Sequence, residues 1–150
     1  MKHVFLGLDP GKSGSCALQT ATGETLWFRF DQGTPSEFYD WLHNYASHIK
    51  CGLIERVSSS PQMGVVSAFS FGESYGIVQG ILIGAGVSFE FIAPAKWQRP
   101  MGCMSKGDKN VTKRRAQELF PEYRKEIVHA NADAILIAEY CKRKYSGLYD

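Results

Sequence analysis

Residues 5–18, FLGLDPGKSGSCAL, carry the reading on which the fold turns. The apolar, β-prone run from His3 to Leu8 is short and bounded by Pro10-Gly11, which reads as a buried strand. Asp9 falls at its last position. Pro10 and Gly11 make a tight turn behind it, and residues 15–20, SCALQT, read as the returning antiparallel strand. The turn leaves the Asp9 carboxylate at the edge of an apolar sheet, where it needs a partner or a cation. An aspartate there can also start the turn by bonding to nearby backbone. Asp9 alone supports both readings; acids on two later elements favour the functional one.

Outward from this hairpin, Gly23 turns the chain into a third strand over residues 24–30, ETLWFRF. Residues 34–50 open with Thr34-Pro35-Ser36-Glu37, a capping-box start with proline at the first helical position. Phe38, Trp41, Leu42, Tyr45 and Ile49 then recur at helical spacing, an apolar face assigned to the core and not to base stacking. Residues 52–57, GLIERV, are a fourth strand in which Glu55 interrupts an apolar run.

The serine-rich loop at 58–61 leads into a long helix over residues 63–87. Along it Ala68, Gly72, Gly76, Gly80 and Gly84 follow one another at intervals of four. A helical glycine costs about 1 kcal/mol relative to alanine, so the stripe needs a compensating close approach. It can face the protein's own sheet, a second copy of the chain, or both. Residues 89–93 are the fifth strand. Residues 94–107 hold two prolines, two glycines and no periodicity, and are expected to form a mobile surface connection. A basic helix over 108–120 stops at Pro121. The last helix is expected over 131–144, with Asn131 as N-cap and Lys142-Arg143-Lys144 at the negative end of its dipole.

At 150 residues the chain is expected to be a single domain spanning residues 1–150. The apolar run before Asp9 is too short for a signal peptide, and the stretch around 77–87 is too short to span a bilayer. Cys16, Cys51, Cys103 and Cys141 form no CxxC pair, which argues against zinc or a disulfide framework and for reduced thiols in the cytoplasm. The net charge of +2 is unevenly placed. Residues 1–93 carry 5 basic and 8 acidic residues, while 94–150 carry 12 and 7, so the C-terminal third suits a polyanionic partner.

The order β-β-β-α-β-α-β-α-α, with acids at Asp9, Glu55 and Asp133, resembles the RNase H-like nuclease fold. That is an α/β fold with a mixed five-stranded sheet, its first three strands antiparallel, flanked by helices. The motifs LGLDPGKSGSCAL, LIER, SAFSFGESYGIVQGILIGAG, APAKWQ and HANADAILIAEY occur in order over nearly the whole chain. They resemble the RuvC-type Holliday junction resolvases, in the branch common in bacteriophage genomes. The resemblance implies a Mg²⁺-dependent endodeoxyribonuclease of bacterial or phage origin. Such an enzyme cuts branched DNA, chiefly four-way junctions, by paired nicks, as a homodimer joined through residues 63–87.

By the same resemblance Asp9 bridges two Mg²⁺ ions, for which Mn²⁺ can substitute, while Glu55 binds one and Asp133 the other. Three acids on separate elements suit a pair of hard cations acting on a phosphodiester. Many family members have an acid three or four residues before the last aspartate; here those positions are Ala130 and His129. If the helix extends back that far, His129 shares a face with Asp133 and can ligate a metal or act as a base. Lys96 and Lys109 match positions where lysines matter for cleavage. Lys106, Lys113, Arg114 and Arg115 would add phosphate contacts, which position DNA without reading its sequence. Ser58 stands where some relatives carry an aromatic wedge, so neither base stacking at that point nor a sequence preference carries over.

Competing readings fare worse. Gly7 to Gly11 encloses three residues where a phosphate-binding loop needs four, and a strand follows where a helix is required. An actin-like or sugar-kinase ATPase needs a second domain. An RNA–DNA hybrid nuclease shares the metal logic, but the glycine-striped helix and the last-helix motif favour the junction enzyme. Retention of all three acids argues against a catalytically inactive junction-binding protein.

Overall fold

The computed structural model describes residues 3–147. Strand β1 (Val4–Asp9) lies at the centre of a five-stranded sheet of order β3-β2-β1-β4-β5. It pairs antiparallel with β2 (Ser15–Thr20), which pairs antiparallel with β3 (Thr25–Arg29). On its other side it runs parallel to β4 (Ile49–Glu55), which is parallel to β5 (Phe89–Ile92). This is the expected mixed α/β sheet with three antiparallel strands first.

Side chains on a strand alternate between faces, and β1 uses both. Val4, Leu6 and Leu8 pack in one core with Phe38 and Leu42 of helix α1 (Pro35–His43) and Val78 and Leu82 of α2 (Val65–Gly84). Phe5 belongs to the second core, with Leu53, Ile92 and residues 134–138 of α5 (His129–Tyr145). Helices α3 (Pro94–Gln98) and α4 (Lys109–Leu119) complete that second layer. Gly7 faces α5, where a Cβ would run into the backbone of Ala134 and Ala138. Its bare backbone is what lets α5 lie so close to the central strand.

The four cysteines are buried free thiols, with the sulfurs of Cys51 and Cys141 3.5 Å apart between β4 and α5. Among the described residues no helix is long and apolar enough to cross a membrane.

Four local expectations need correction. The capping box of α1 is present, with Thr34 N–H donating to Glu37 Oε1 at 2.9 Å and Glu37 N–H to Thr34 Oγ1 at 3.2 Å. The helix nevertheless ends at His43, because a short 3₁₀ turn redirects the chain and Ile49 is taken into the ladder opposite Val4. Residues 94–107 are not a mobile surface connection. They contain α3 and lodge Trp97, Met101 and Cys103 in the core, single anchors that leave no period to detect.

Helix α5 starts at His129, and Asn131 is inside it, not its N-cap. The Asn131 side chain accepts from Val128 N–H at 2.8 Å and donates to Glu126 O at 3.0 Å, ordering the first turn from within. Lastly, the glycine stripe does not seat α2 on its own sheet. A Cβ at Gly72, Gly76, Gly80 or Gly84 would meet open space.

Candidate active site

Strand parity gathers the acids. Asp9 follows Phe5 and Gly7 on the α5 face, and Glu55 follows Cys51 and Leu53 on the same face. Both acids end parallel neighbouring strands, which pair up to Leu8 opposite Ile54. The carboxyl ends of parallel strands are where open α/β sheets commonly bind ligands. Asp133 comes from the N-terminal part of α5. That end of the helix is set by the Gly7 approach and by Ser15, whose buried hydroxyl donates to Ala130 O at 2.7 Å.

The three carboxylates feel one another. Asp9 is held well above the ordinary carboxylate range by burial first, then by the negative charges of Asp133 and Glu55; Lys109 pulls the other way. Burial also raises Glu55, opposed by a hydrogen bond from Trp97, with the Asp133 charge adding to the rise. Burial raises Asp133 too, opposed by a hydrogen bond from Thr112 and by the charges of Lys109 and His129. Lys109, on the first turn of α4, thus acts on all three acids.

The donor chemistry fits hard divalent cations, since desolvated carboxylates that repel one another gain most from positive charge between them. Among the described residues no three His, Cys, Asp or Glu side chains are grouped so as to hold one ion.

His129 opens α5, one helical turn before Asp133 on the same face, and its Nε2 lies 3.0 Å from Asn110 Oδ1 of α4. The other expected residues spread out. Lys96 on α3 is exposed, as is Lys106, which holds a left-handed backbone (φ 50°) in the turn before α4. Lys113 and Arg114 line a polar groove with Arg124, on a different face of α4 from the buried Thr112 and Ala116. Arg115 is engaged within the chain, its Nε donating to Met101 O at 2.8 Å and its Nη1 lying 3.3 Å from Glu118 Oε2.

Four residues around the acids escaped the sequence reading. Trp97 Nε1 donates to Glu55 Oε2 at 2.9 Å, and Thr112, whose hydroxyl donates to Lys109 O at 3.3 Å, holds the pKa of Asp133 down against burial. Ser15 fixes the start of α5, and Asn110 touches His129. The indole in APAKWQ was the one visible signal, because a buried tryptophan N–H needs an acceptor.

No protein-family model matches the chain, and no curated protein matches it in sequence. Solved structures do. A Thermus thermophilus RuvC structure is 18% identical with a TM-score of 0.58, covering 97% of both chains. A second, T. thermophilus RuvC in complex with Holliday junction substrate, is 18% identical with a TM-score of 0.57 over 97% of both chains. The likeness is one of fold: the chain has the RNase H-like architecture of RuvC, with acids ending its first and fourth strands.

Proposed function

We propose that the protein is a metal-dependent endonuclease of branched DNA that resolves four-way junctions by paired nicks. The observation that carries this reading is the gathering of Asp9, Glu55 and Asp133, mutually repelling and desolvated, at one end of a RuvC-like sheet. One of the RuvC structures of this fold was solved on a Holliday junction, which supports a branched substrate.

Asp9 would be shared between two Mg²⁺ ions, with Glu55 completing the protein's hold on one and Asp133 on the other; Mn²⁺ would substitute. When bound, such a pair activates water and stabilises the leaving oxygen of a phosphodiester in an in-line displacement. The chain's residues supply the setting. The three carboxylates provide negative charge in desolvated surroundings, and Lys109, which lowers the pKa of all three, would meet a phosphate oxygen. His129, held through Nε2 by Asn110, keeps Nδ1 for a ligand or a proton. Lys96, Lys106, Lys113 and Arg114 would follow the DNA backbone as sequence-independent contacts.

A junction presents two equivalent strands, and two nicks related by symmetry call for two copies of the site. A C₂ dimer uses one patch twice. The outer face of α2 suits that role: Val65 is 86% exposed, Phe69 73% and Ile83 68%, and Gly72, Gly76 and Gly80 lie between them at helical spacing. Exposed apolar surface of this kind marks an interaction site.

The test is cleavage of four-way junction, flap, duplex and RNA–DNA hybrid by purified protein, with Mg²⁺ and with excess chelator. Paired nicks on the junction that vanish in chelator and in Asp9→Asn are expected. Preferential cutting of the hybrid would replace this reading with that of a hybrid nuclease. Junction binding without cutting would make it a binding protein.

A further inference from the structure

We propose that Trp97 is a positioning residue for Glu55, holding one carboxylate oxygen so that the other is presented to a cation. This rests on the metal reading of the acids and extends it to a residue 42 positions away.

Trp97 is fully buried, in the same core as Met101 and Cys103, so its ring has no freedom to follow Glu55. Its Nε1–H reaches Glu55 Oε2 at 2.9 Å. A hydrogen bond to an ionised acceptor is stronger than a neutral one, and Glu55 is itself only 8% exposed. The backbone is fixed as well: Tyr75 OH donates to Glu55 O at 3.1 Å, and Arg56 N–H donates to Ile92 O at 2.7 Å. The carboxylate is therefore pinned from its main chain and from one oxygen, which leaves Oε1 as the ligand.

The donor type matters. An indole N–H donates and does nothing else. It carries no charge, so it orients the carboxylate without neutralising it and without competing with a cation. A lysine or arginine in the same place would do both. Partners that orient a metal ligand commonly change metal affinity by 10- to 100-fold when removed.

The test uses ¹⁵N-indole NMR and calorimetry on the full chain. The protein has three tryptophans, so Trp27→Phe and Trp41→Phe assign the Trp97 signal by elimination. That signal is expected to exchange slowly with solvent, to move in Glu55→Gln and to move on titration with Mg²⁺. Trp97→Phe removes the donor and leaves a smaller aromatic ring in the core. With its melting transition still cooperative, it is expected to bind Mg²⁺ about 10- to 100-fold more weakly.

Mg²⁺ binding to wild type that leaves the Trp97 signal unmoved, or that is equally tight in Trp97→Phe, would overturn the proposal and leave the metal reading standing. Wild type that binds no Mg²⁺ would overturn both. Should Trp97→Phe fail to fold, the wild-type titration and Glu55→Gln decide the matter alone.

Discussion

Thr112 shows how one hydroxyl can set the working range of a site. Its hydrogen bond lowers the pKa of Asp133 against the upward push of burial. Thr112→Val removes that bond, so Asp133 should hold its proton to higher pH. The acid limb of the cleavage profile should then move upward, with rates converging on wild type in alkaline buffer. Asp9 works in the opposite sense on the metal-free protein. Its folded pKa lies above the ordinary 3.8, so its contribution to stability is full below that value and is lost as pH rises through the folded pKa. In chelator at neutral pH, Asp9→Asn should therefore melt a few degrees higher than wild type while losing cleavage and keeping junction binding. Saturating Mg²⁺ should reverse the order, since a ligand at 100-fold over its dissociation constant adds about 2.7 kcal/mol. Melting curves with and without the ion check both signs. Asp9 and Glu55 were legible in the sequence because each ends or interrupts an apolar run, and Asp133 because the motif HANADAILIAEY around it resembles that of a known family. Trp97 and Thr112 were not, because each is defined by a partner far along the chain.

At the scale of elements, the two kinds of glycine predict opposite outcomes. Gly7→Ala places a methyl group against the backbone of α5, a part that cannot swing aside. Overpacking of this sort costs about 1–3 kcal/mol or more, and cleavage should fall with stability because Asp133 rides on the displaced helix. Gly76→Leu meets open space in the monomer and improves helix propensity by nearly 1 kcal/mol. Circular dichroism should show the fold kept while sedimentation shows loss of the proposed dimer; a variant that still sediments as a dimer would remove this face from the proposed interface. The sequence made the stripe containing Gly76 conspicuous but not its surroundings, and it gave no sign of the close approach at Gly7. Periodicity marks which residues share a face, not which face is covered, so it left the choice between own sheet and second copy open. Periodicity also overran the end of α1, because Ile49 continues the helical spacing while its backbone is claimed by β1. It was silent over residues 94–107, where burial is carried by isolated anchors.

Over the whole molecule, the mixed sheet with its three antiparallel strands first was the most legible feature, since two tight turns join those strands and helical crossovers bring in the other two; the strand order itself came from the structure. The charge asymmetry was equally plain, and its consequence lies in the salt dependence of binding. Junction affinity should fall steeply with salt, and Lys113→Ala and Arg114→Ala should each lower the slope of log K against log salt by about 1, alike for all sequences. A slope unchanged by either variant would remove the α4 groove from the DNA path. Helix α2, with its outward glycines, has a further consequence for the free protein, this one in time. Its N-cap is Gly64, with no side-chain bond, and its three interior glycines each weaken it by about 1 kcal/mol. Val78 and Leu82 are its buried attachments, whereas α5 is buried from Asn131 to Cys141 apart from Asp133. In dilute protein the amide hydrogens of α2 should therefore exchange with deuterium well before those of α5, through opening of that helix alone. Raising the protein concentration or adding a junction should slow them, turning the least protected long helix into a clock for assembly.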